Sequence, residues 1–245
     1  MLILSVFAVA VLMSLVVTPV VVRVVTARGV YGHVRPSADG SAPRVPRLGG
    51  IAVVLATTAA LATALLAPGG LPASASAPEH FFIGLLAAGW LLFAAGLLDD
   101  LYDLRPTAKL LAQCTAAIVA YGFGFRVEEL SFGGTAIEVG MLSLPLTLLW
   151  VVGITNAFNL IDGLDGLATG IGMVALASTF VVAYLLGNPE VALVCAALGG
   201  ALLGFLRYNF RPARIFLGDS GSLFVGFMVA VLSVHGSTKS ATAAL

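Results

Sequence analysis

One stretch of this hydrocarbon-rich chain places four amide and carboxylate side chains three residues apart: Asn156, Asn159, Asp162 and Asp165. An acidic side chain at bilayer depth costs roughly 2.5–3.5 kcal/mol on insertion scales, so the cluster belongs at a membrane surface or in a wet cavity and indicates something to coordinate. On an ideal helix each three-residue step turns by about −60°, so the first and last of the four would face opposite sides. Gly163 and Gly166 offer places for the helix to end, which could turn all four toward one point. The alternative is a polar helix end capped by Asn and Asp.

A second acidic cluster, which contains Asp99, Asp100 and Asp103, follows a long apolar run. Adjacent acids are a recurrent way to hold Mg²⁺, which takes few carboxylates together with waters and substrate phosphates. They could also include a general base, because crowded like charges raise one pKa. The alternative, acids that solvate a helix C-terminus, places negative charge at the unfavourable end of the helix dipole. Lys109 can neutralise an acid or meet a phosphate, or it can simply extend to the membrane surface.

A third polar segment contains Asp219, which precedes Ser220 and Ser222 in an arrangement that resembles a helix N-cap. Helix N-termini also receive phosphates, so a phosphate site is the functional alternative to capping. Phe216 could stack on a base and Asn209 could bond a base edge, although interfacial packing explains both equally well. Positive charge beside Asp219 comes from Arg207, Arg211 and Arg214.

A fourth segment, residues 43–50, contains Arg47 and the pair Gly49-Gly50, which permits close approach of backbones. Its arginine is a candidate substrate-binding group. Anchoring at the membrane surface explains the charge nearly as well. The histidines, His33, His80 and His235, show no metal-ligand spacing, and Cys114 and Cys195 lie inside apolar runs, so none of these residues predicts a metal site or a disulfide.

Composition predicts a membrane protein. The chain has 245 residues, of which 60% are hydrophobic and 10% charged, and its mean hydropathy is +1.07. Soluble domains carry about 25% charged residues, so the chain is predicted to be a polytopic integral membrane protein with a single domain over residues 1–245. The net charge is zero and the basic residues are few and scattered, which makes nucleic acid an unsuitable partner.

A membrane span needs about 20 apolar residues, and about eight transmembrane helices are predicted in an all-α fold. Alternating residues around Gly133-Gly134 predict a small external β-hairpin near 126–140. The predicted spans are 1–22, 49–67, 81–98, 108–124, 141–158, 167–186, 191–206 and 221–235.

Basic residues predict the orientation. With the N-terminus outside, the inside segments hold ten Lys and Arg residues and the outside segments hold two, which is a strong positive-inside bias. All three acidic clusters then lie on the cytoplasmic side. The ten inside residues are Arg23, Arg28, Arg35, Arg44, Arg47, Arg105, Lys109, Arg207, Arg211 and Arg214, and the two outside are Arg126 and Lys239.

Acids and cations at one membrane face indicate metal-assisted chemistry on a phosphorylated substrate, and the membrane location suggests that one substrate is a lipid. A transporter would instead place its acids at mid-span on broken helices. Residue types and spacing lead no further than this.

At these residues the chain resembles the polyprenyl-phosphate N-acetylhexosamine-1-phosphate transferases, a glycosyltransferase family 4 group with a WecA/TagO-like branch and an MraY branch. The resemblance covers nearly the whole chain. Ile161 and Ser220 look more like the WecA/TagO branch, since the MraY branch tends to have Thr at both places. The matching motifs are residues 46–50, Asp99-Asp100 with Lys109, residues 156–168, and residues 216–221.

The resemblance implies transfer of N-acetylglucosamine-1-phosphate, or a similar sugar phosphate, from a UDP-sugar to undecaprenyl or decaprenyl phosphate. UMP is released, and the reaction is the first membrane step of a cell-envelope polysaccharide. Mg²⁺, or Mn²⁺ in its place, would be bound by Asp219 with Asp100. Asp99 and Asp100 would position or deprotonate the lipid phosphate. Sugar-nucleotide contacts would come from Asn156, Asn159, Asp162, Asp165, Asn209 and Phe216, with Arg47, Lys109 and Arg214 as further substrate-binding groups.

The family normally continues to ten or eleven spans and carries a His-rich motif in a later cytoplasmic loop. No His-His or His-x-x-His occurs in this chain, so it is expected to be a C-terminally truncated member. The alternatives are transfer of phospho-N-acetylmuramoyl-pentapeptide, or a non-catalytic relative that binds nucleotide-sugar or lipid phosphate. The sequence does not decide between a monomer and a homodimer.

Overall fold

The computed structural model describes residues 1–29, 31, 45–66, 78–132 and 135–243, with the backbone alone for 78–79, 130–132, 135–136 and 236–243. Arg35, Arg44, His33 and the Gly133-Gly134 turn lie outside the described residues. The helices, in chain order, are α1 (Leu2–Ala27), α2 (Gly49–Leu66), α3 (Pro78–Tyr102), α4 (Pro106–Gly122), α5 (Ser143–Ile161), α6 (Leu167–Leu185), α7 (Pro189–Asn209) and α8 (Gly218–Ala243).

The prediction of an all-α polytopic membrane protein is confirmed. Among the described residues, seven helices are long and apolar enough to cross a membrane. The eighth, α4, has 17 residues, or about 26 Å at 1.5 Å per residue, which is short of a hydrocarbon core of about 30 Å. Several helices extend past their predicted spans, most clearly α3 and α8, because apolar composition marks the depth of lipid and not the end of the backbone hydrogen-bond ladder.

The predicted hairpin is also present. Strands β1 (Glu129–Phe132) and β2 (Thr135–Glu138) are antiparallel and form the two-stranded sheet of the described chain. Glu129 pairs with Glu138, and Phe132 pairs with Thr135. A short 3₁₀ turn, Gly140–Leu142, then leads into α5.

Helix α8 is the central element, since it packs against α2, α3, α5 and α6. Glycines allow the neighbouring backbones to approach its first turns. A Cβ on Gly50 of α2 would lie 2.3 Å from the Gly221 nitrogen, and a Cβ on Gly96 of α3 would lie 2.4 Å from the Asp219 carbonyl oxygen. Neither distance is tolerable for a real side chain, so these two glycines fix how closely α2 and α3 meet the start of α8.

Helices α1 and α7 form a second close contact, called here the glycine seam, built on Gly200 and Gly204. A Cβ on either glycine would lie 2.6 Å from a backbone carbonyl oxygen of α1, that of Phe7 or Val11. The four-residue spacing places both glycines on one face of α7, as in small-residue packing between membrane helices. Gly199, one position earlier, has nothing within 4 Å of its ideal Cβ.

Candidate active site

The site is built around the ammonium group of Lys109, which lies between two carboxylates. Its Nζ donates to Asp219 Oδ2 over 2.8 Å and also pairs with Asp99 Oδ2. Asp99 is buried, with 6% of its surface exposed, so its charge has little access to bulk water. The local chain explains the meeting of α3 and α4. Asp103 adopts a left-handed conformation (φ 53°) that turns the chain, and Pro106 starts α4 at a position that suits proline.

Asp100 caps a helix to which it does not belong. Its Oδ1 accepts the Asp219 N–H over 2.8 Å and its Oδ2 accepts the Ser220 N–H over 2.9 Å. A carboxylate at a helix N-terminus satisfies otherwise unpaired donors and interacts favourably with the helix dipole. The capping interpretation of Asp219 is therefore corrected: Asp100 is the cap of α8, and the Asp219 carboxylate, inside the first turn, is left to face the site.

Asn159 orients that carboxylate from α5. Its Nδ2 donates to Asp219 Oδ1 over 2.8 Å and to Ser222 Oγ over 3.0 Å. Both oxygens of Asp219 thus have a donor, one from Asn159 and one from Lys109. The arrangement fixes the Asp219 carboxylate in a single orientation, with two helices holding it against α8.

Asp162 adds a fourth carboxyl group where α5 ends. Burial and the negative charges of Asp219 and Asp100 together raise the pKa of Asp162 to about 8, while the Gly218 backbone and the positive charge of Arg47 act in the opposite direction. Four carboxyl groups, those of Asp99, Asp100, Asp162 and Asp219, therefore lie at the same end of the helix bundle, and two of them, Asp99 and Asp219, pair with the Lys109 ammonium group. An excess of negative charge of this kind favours an additional cation.

The four polar residues of the 156–165 stretch do not meet at one point. The predicted helix break is present, because α5 ends at Ile161 and Gly166 (φ 71°) precedes α6. Asn159 and Asp162 face the carboxylates. Asn156 instead exchanges two hydrogen bonds with Gln113 of α4, at 2.7 and 3.2 Å, and Asp165 Oδ2 accepts the Ala213 N–H over 3.1 Å. Within α5 the three-residue rotation turns Asn156 away from Asn159, and Asp165 lies beyond the end of α5, so the first and last of the four contact different neighbours.

Asn209 and Phe216 are involved in local structure. Asn209 is 2% exposed, its Oδ1 accepts from Thr169 Oγ1 over 2.7 Å, and its Nδ2 donates to the Ile215 carbonyl over 3.0 Å. Phe216 is half-buried, and its backbone N–H donates to the Pro46 carbonyl over 2.8 Å. Base recognition by these two residues stays a prediction.

The segment with Arg47 lies beside the start of α8. A Cβ on Gly218 (φ 74°) would overlap the Arg47 carbonyl oxygen at 1.8 Å, so only glycine allows this approach. Arg47 is half-buried near Asp162, whereas Arg214 is exposed and lines a cavity with Arg207 and Arg211. Arg47 therefore lies close enough to act electrostatically on Asp162, whereas Arg214 lines the separate cavity.

The donor chemistry can be tested against Mg²⁺. Within the described residues no group of three or more His, Cys, Asp or Glu side chains has the arrangement of a metal cage. Mg²⁺ does not need one, because it is ordinarily held by one or two carboxylates together with waters and phosphates. Asp219 fits such a role, with a side chain that is 28% exposed. Both carboxylate oxygens of Asp100 accept hydrogen bonds from backbone N–H groups of α8, so binding of a metal by Asp100 stays a prediction.

Sequence reasoning gave too little weight to two residues that complete the network. Gln113 is 2% exposed and holds α4 against α5 through Asn156, while Ser222 shares the amide of Asn159. One signal for Gln113 was available: a buried amide at bilayer depth, one helical turn after Lys109, requires a polar partner. No comparable signal distinguishes Ser222 from an ordinary helix-start serine.

With the geometry described, comparison with known proteins decides the family. The sequence model of glycosyl transferase family 4 matches residues 82–237, a range that contains every carboxylate of the cluster. The chain belongs to this family.

Three relatives illustrate the range of similarity. A probable undecaprenyl-phosphate N-acetylglucosaminyl 1-phosphate transferase of Bacillus subtilis is 36% identical over 96% of this chain and 63% of the relative. A decaprenyl-phosphate N-acetylglucosaminephosphotransferase of Mycolicibacterium smegmatis is 37% identical over 82% of this chain and 50% of the relative. A phospho-N-acetylmuramoyl-pentapeptide-transferase of Listeria innocua is 38% identical over 60% of this chain and 52% of the relative. The chain therefore spans between half and two thirds of the length of these relatives.

Proposed function

We propose that this chain carries the phosphotransfer site of an enzyme that moves N-acetylglucosamine-1-phosphate, or a similar N-acetylhexosamine-1-phosphate, from a UDP-sugar to a polyprenyl phosphate. The observation that carries the proposal is Lys109, held between Asp99 and Asp219 where Asp100 caps α8. Fixed carboxylates that enclose the Lys109 ammonium group at the end of a membrane-helix bundle form a preorganised electrostatic site, which is suited to binding the phosphate of a lipid.

In this reaction an oxygen of the lipid phosphate attacks the β-phosphorus of the UDP-sugar. The bond between that phosphorus and the bridging oxygen breaks, and UMP leaves with the electron pair. At neutral pH a phosphate monoester is largely ionised, so the nucleophile needs positioning more than deprotonation. Asp99, paired with Lys109, is suited to positioning the ammonium group against an incoming phosphate.

Mg²⁺, or Mn²⁺ in its place, would be held by Asp219, and waters and phosphate oxygens would complete its coordination shell. When bound, it would supply positive charge to the diphosphate. Asn159 and Lys109 keep the Asp219 carboxylate in one orientation, and Asp162 lies close enough to contribute negative charge. Asn156, Asp165 and Asn209 hold neighbouring segments of the site in place, and Arg47 and Phe216 are proposed to contact the sugar nucleotide. Arg214, which the resemblance also offered as a substrate-binding residue, lines a separate cavity.

The site is proposed to lie at the cytoplasmic face of the inner membrane. Basic residues are concentrated in the segments at the carboxylate end of the bundle, as the positive-inside rule requires. UDP-sugars are soluble, so a cytoplasmic location gives them access without crossing lipid.

The experiment uses membranes that contain the chain, polyprenyl phosphate, Mg²⁺ and radiolabelled UDP-N-acetylglucosamine. Label is expected to move into the organic phase with the wild-type chain and not with Asp219→Asn. Binding of the labelled nucleotide is measured in parallel. Retained binding without product would support the alternative of a non-catalytic relative, and the transferase proposal for this chain would be abandoned.

A second candidate is transfer of phospho-N-acetylmuramoyl-pentapeptide, because relatives with that name match the chain at similar identity. The same assay separates the two. Unlabelled UDP-N-acetylmuramoyl-pentapeptide should leave incorporation from UDP-N-acetylglucosamine unchanged at equal concentration. Strong competition would favour the second candidate.

A further inference from the structure

A cavity of about 490 Å³ opens where α7 ends and the loop to α8 begins. It is called here the arginine pocket, and its lining residues are Leu203, Leu206, Arg207, Phe210, Arg211, Pro212 and Arg214. We propose that the arginine pocket binds the headgroup phosphate of an anionic glycerophospholipid, with an acyl chain against α7. This site is separate from the proposed transferase chemistry and goes beyond it.

The walls of the pocket suit an amphiphile. Leu203, Leu206, Arg207 and Phe210 follow the three- and four-residue spacing of one helix face, so an apolar strip leads along α7 to the arginines. Leu203 is 41% exposed and Phe210 is 66% exposed. Side chains of this kind at the lipid-facing end of a membrane helix contact hydrocarbon, whereas a soluble anion would gain nothing from them.

The arginine pocket is positively charged. None of the seven lining residues is acidic, and the ion pairs of the described part of the chain involve none of the three arginines. One acidic side chain contacts the same loop: Asp165 Oδ2 accepts a hydrogen bond from the Ala213 N–H over 3.1 Å. Guanidinium groups bind phosphate oxygens in bidentate fashion, so three of them around one cavity match a phosphate group. Arg207 also complements the C-terminal dipole of α7, but Arg211 and Arg214 lie beyond the helix and lack that explanation.

The position favours a resident lipid over the reacting lipid phosphate. Helix α7 packs mainly on α1, α2 and α6, whereas the carboxylates come from α3, α8 and the end of α5. A phosphate in the arginine pocket would therefore be bound at the end of a helix that contributes none of these carboxylates. Basic pockets at the ends of membrane helices attract anionic headgroups.

The test measures lipid binding, not activity. The full chain is purified in uncharged detergent, and binding of phosphatidylglycerol or phosphatidylcholine is followed by native mass spectrometry. The variant Arg207→Gln/Arg211→Gln is compared with Arg23→Gln/Arg28→Gln, which removes two exposed arginines near the end of α1 at the same end of the bundle. We expect the first variant to bind phosphatidylglycerol at least tenfold more weakly, while the second binds it as the wild type does.

Several outcomes would overturn the proposal. Equal weakening in both variants would mean general attraction to a basic surface, and equal binding of phosphatidylcholine would remove the role of charge. Competition by glycerol phosphate at the same concentration as the lipid would identify a site for free phosphate. Preferential displacement by polyprenyl phosphate would assign the pocket to the acceptor. Thermal unfolding of each variant checks that it is folded. The conservative variant Arg211→Lys, which keeps the positive charge, should retain part of the binding that the glutamine variant loses.

Discussion

The carboxylate cluster and the glycine seam both bring helices into close contact, but they do so with opposite chemistry. At the cluster, helices are held by charged and amide side chains, with Lys109 between Asp99 and Asp219. At the seam, α1 and α7 meet through the absence of side chains at Gly200 and Gly204. The first arrangement is expensive in a membrane and is therefore expected where function requires it, while the second costs only backbone entropy.

This contrast predicts two separable classes of variant. Changes at the cluster should abolish the proposed activity with limited effect on folding, because polar groups there face a wet end of the bundle. Changes at the seam should affect folding first, because overpacking moves whole helices.

The largest effect is expected for Lys109→Met. Removal of the ammonium group leaves Asp99 and Asp219 without their shared cation, and loss of one preorganised charge typically lowers turnover by about 10²–10³-fold. Transfer of label to polyprenyl phosphate measures the loss. Arg105→Met is the matched control, because Arg105 is an exposed cation in the neighbouring loop. Similar activity in both variants would show that Lys109 is only a surface-directed lysine.

The glycine seam offers a test in which neighbouring substitutions have opposite signs. Gly200→Ala places a Cβ 2.6 Å from the Phe7 carbonyl oxygen, and overpacking of this kind costs about 1–3 kcal/mol. Gly199→Ala meets nothing within 4 Å and should gain up to about 1 kcal/mol of helix propensity. Thermal unfolding in detergent should therefore shift downward for the first variant and upward for the second. Equal shifts would mean that the seam is not closely packed in solution.

The Gln113–Asn156 pair shares a feature with each class of variant. It is polar like the cluster, but it lies inside the helix bundle like the seam. Gln113→Leu leaves Asn156 with an unpaired carbonyl, and an unsatisfied buried group costs about 1–3 kcal/mol. In Gln113→Leu/Asn156→Leu both partners are apolar, so most of that cost should disappear. A double-mutant cycle on unfolding free energy measures the coupling between the two amides. Additive single effects would show that the reciprocal hydrogen bonds contribute nothing.

The amino-acid types predicted which residues gather at one membrane end, but not which of them contact each other. Helix number, the break between α5 and α6 and the hairpin followed from local hydropathy and turn residues. The partners of Asp100 and Asn209 did not, because spacing along one helix fixes only which side a residue faces. Asp100 lies at the unfavourable end of its own helix, and its capping of α8 follows only once Gly96 allows α3 to approach. Long-range neighbours therefore decided the details of the site.

The smallest expected effect on stability concerns Asp162, whose pKa is raised from 3.8 to about 8 by burial and by the charges of Asp219 and Asp100. Because the folded chain binds this proton more tightly than the unfolded chain, the stabilisation is complete below about pH 4 and is lost as the pH rises toward 8. Asp162→Asn removes the titrating group. In metal-free detergent solution at pH 8 it should be more stable than the wild type by at least roughly 1 kcal/mol, about 2–4 °C in Tm, with a smaller difference at pH 5. The full linkage value for this pKa shift is larger, but Asp162 is only half-buried and solvent screens its charge. The same variant should lose label transfer. A gain in stability together with a loss of activity would identify Asp162 as charge that the cluster retains for its chemistry, whereas a loss of both would make it a structural residue like those of the seam.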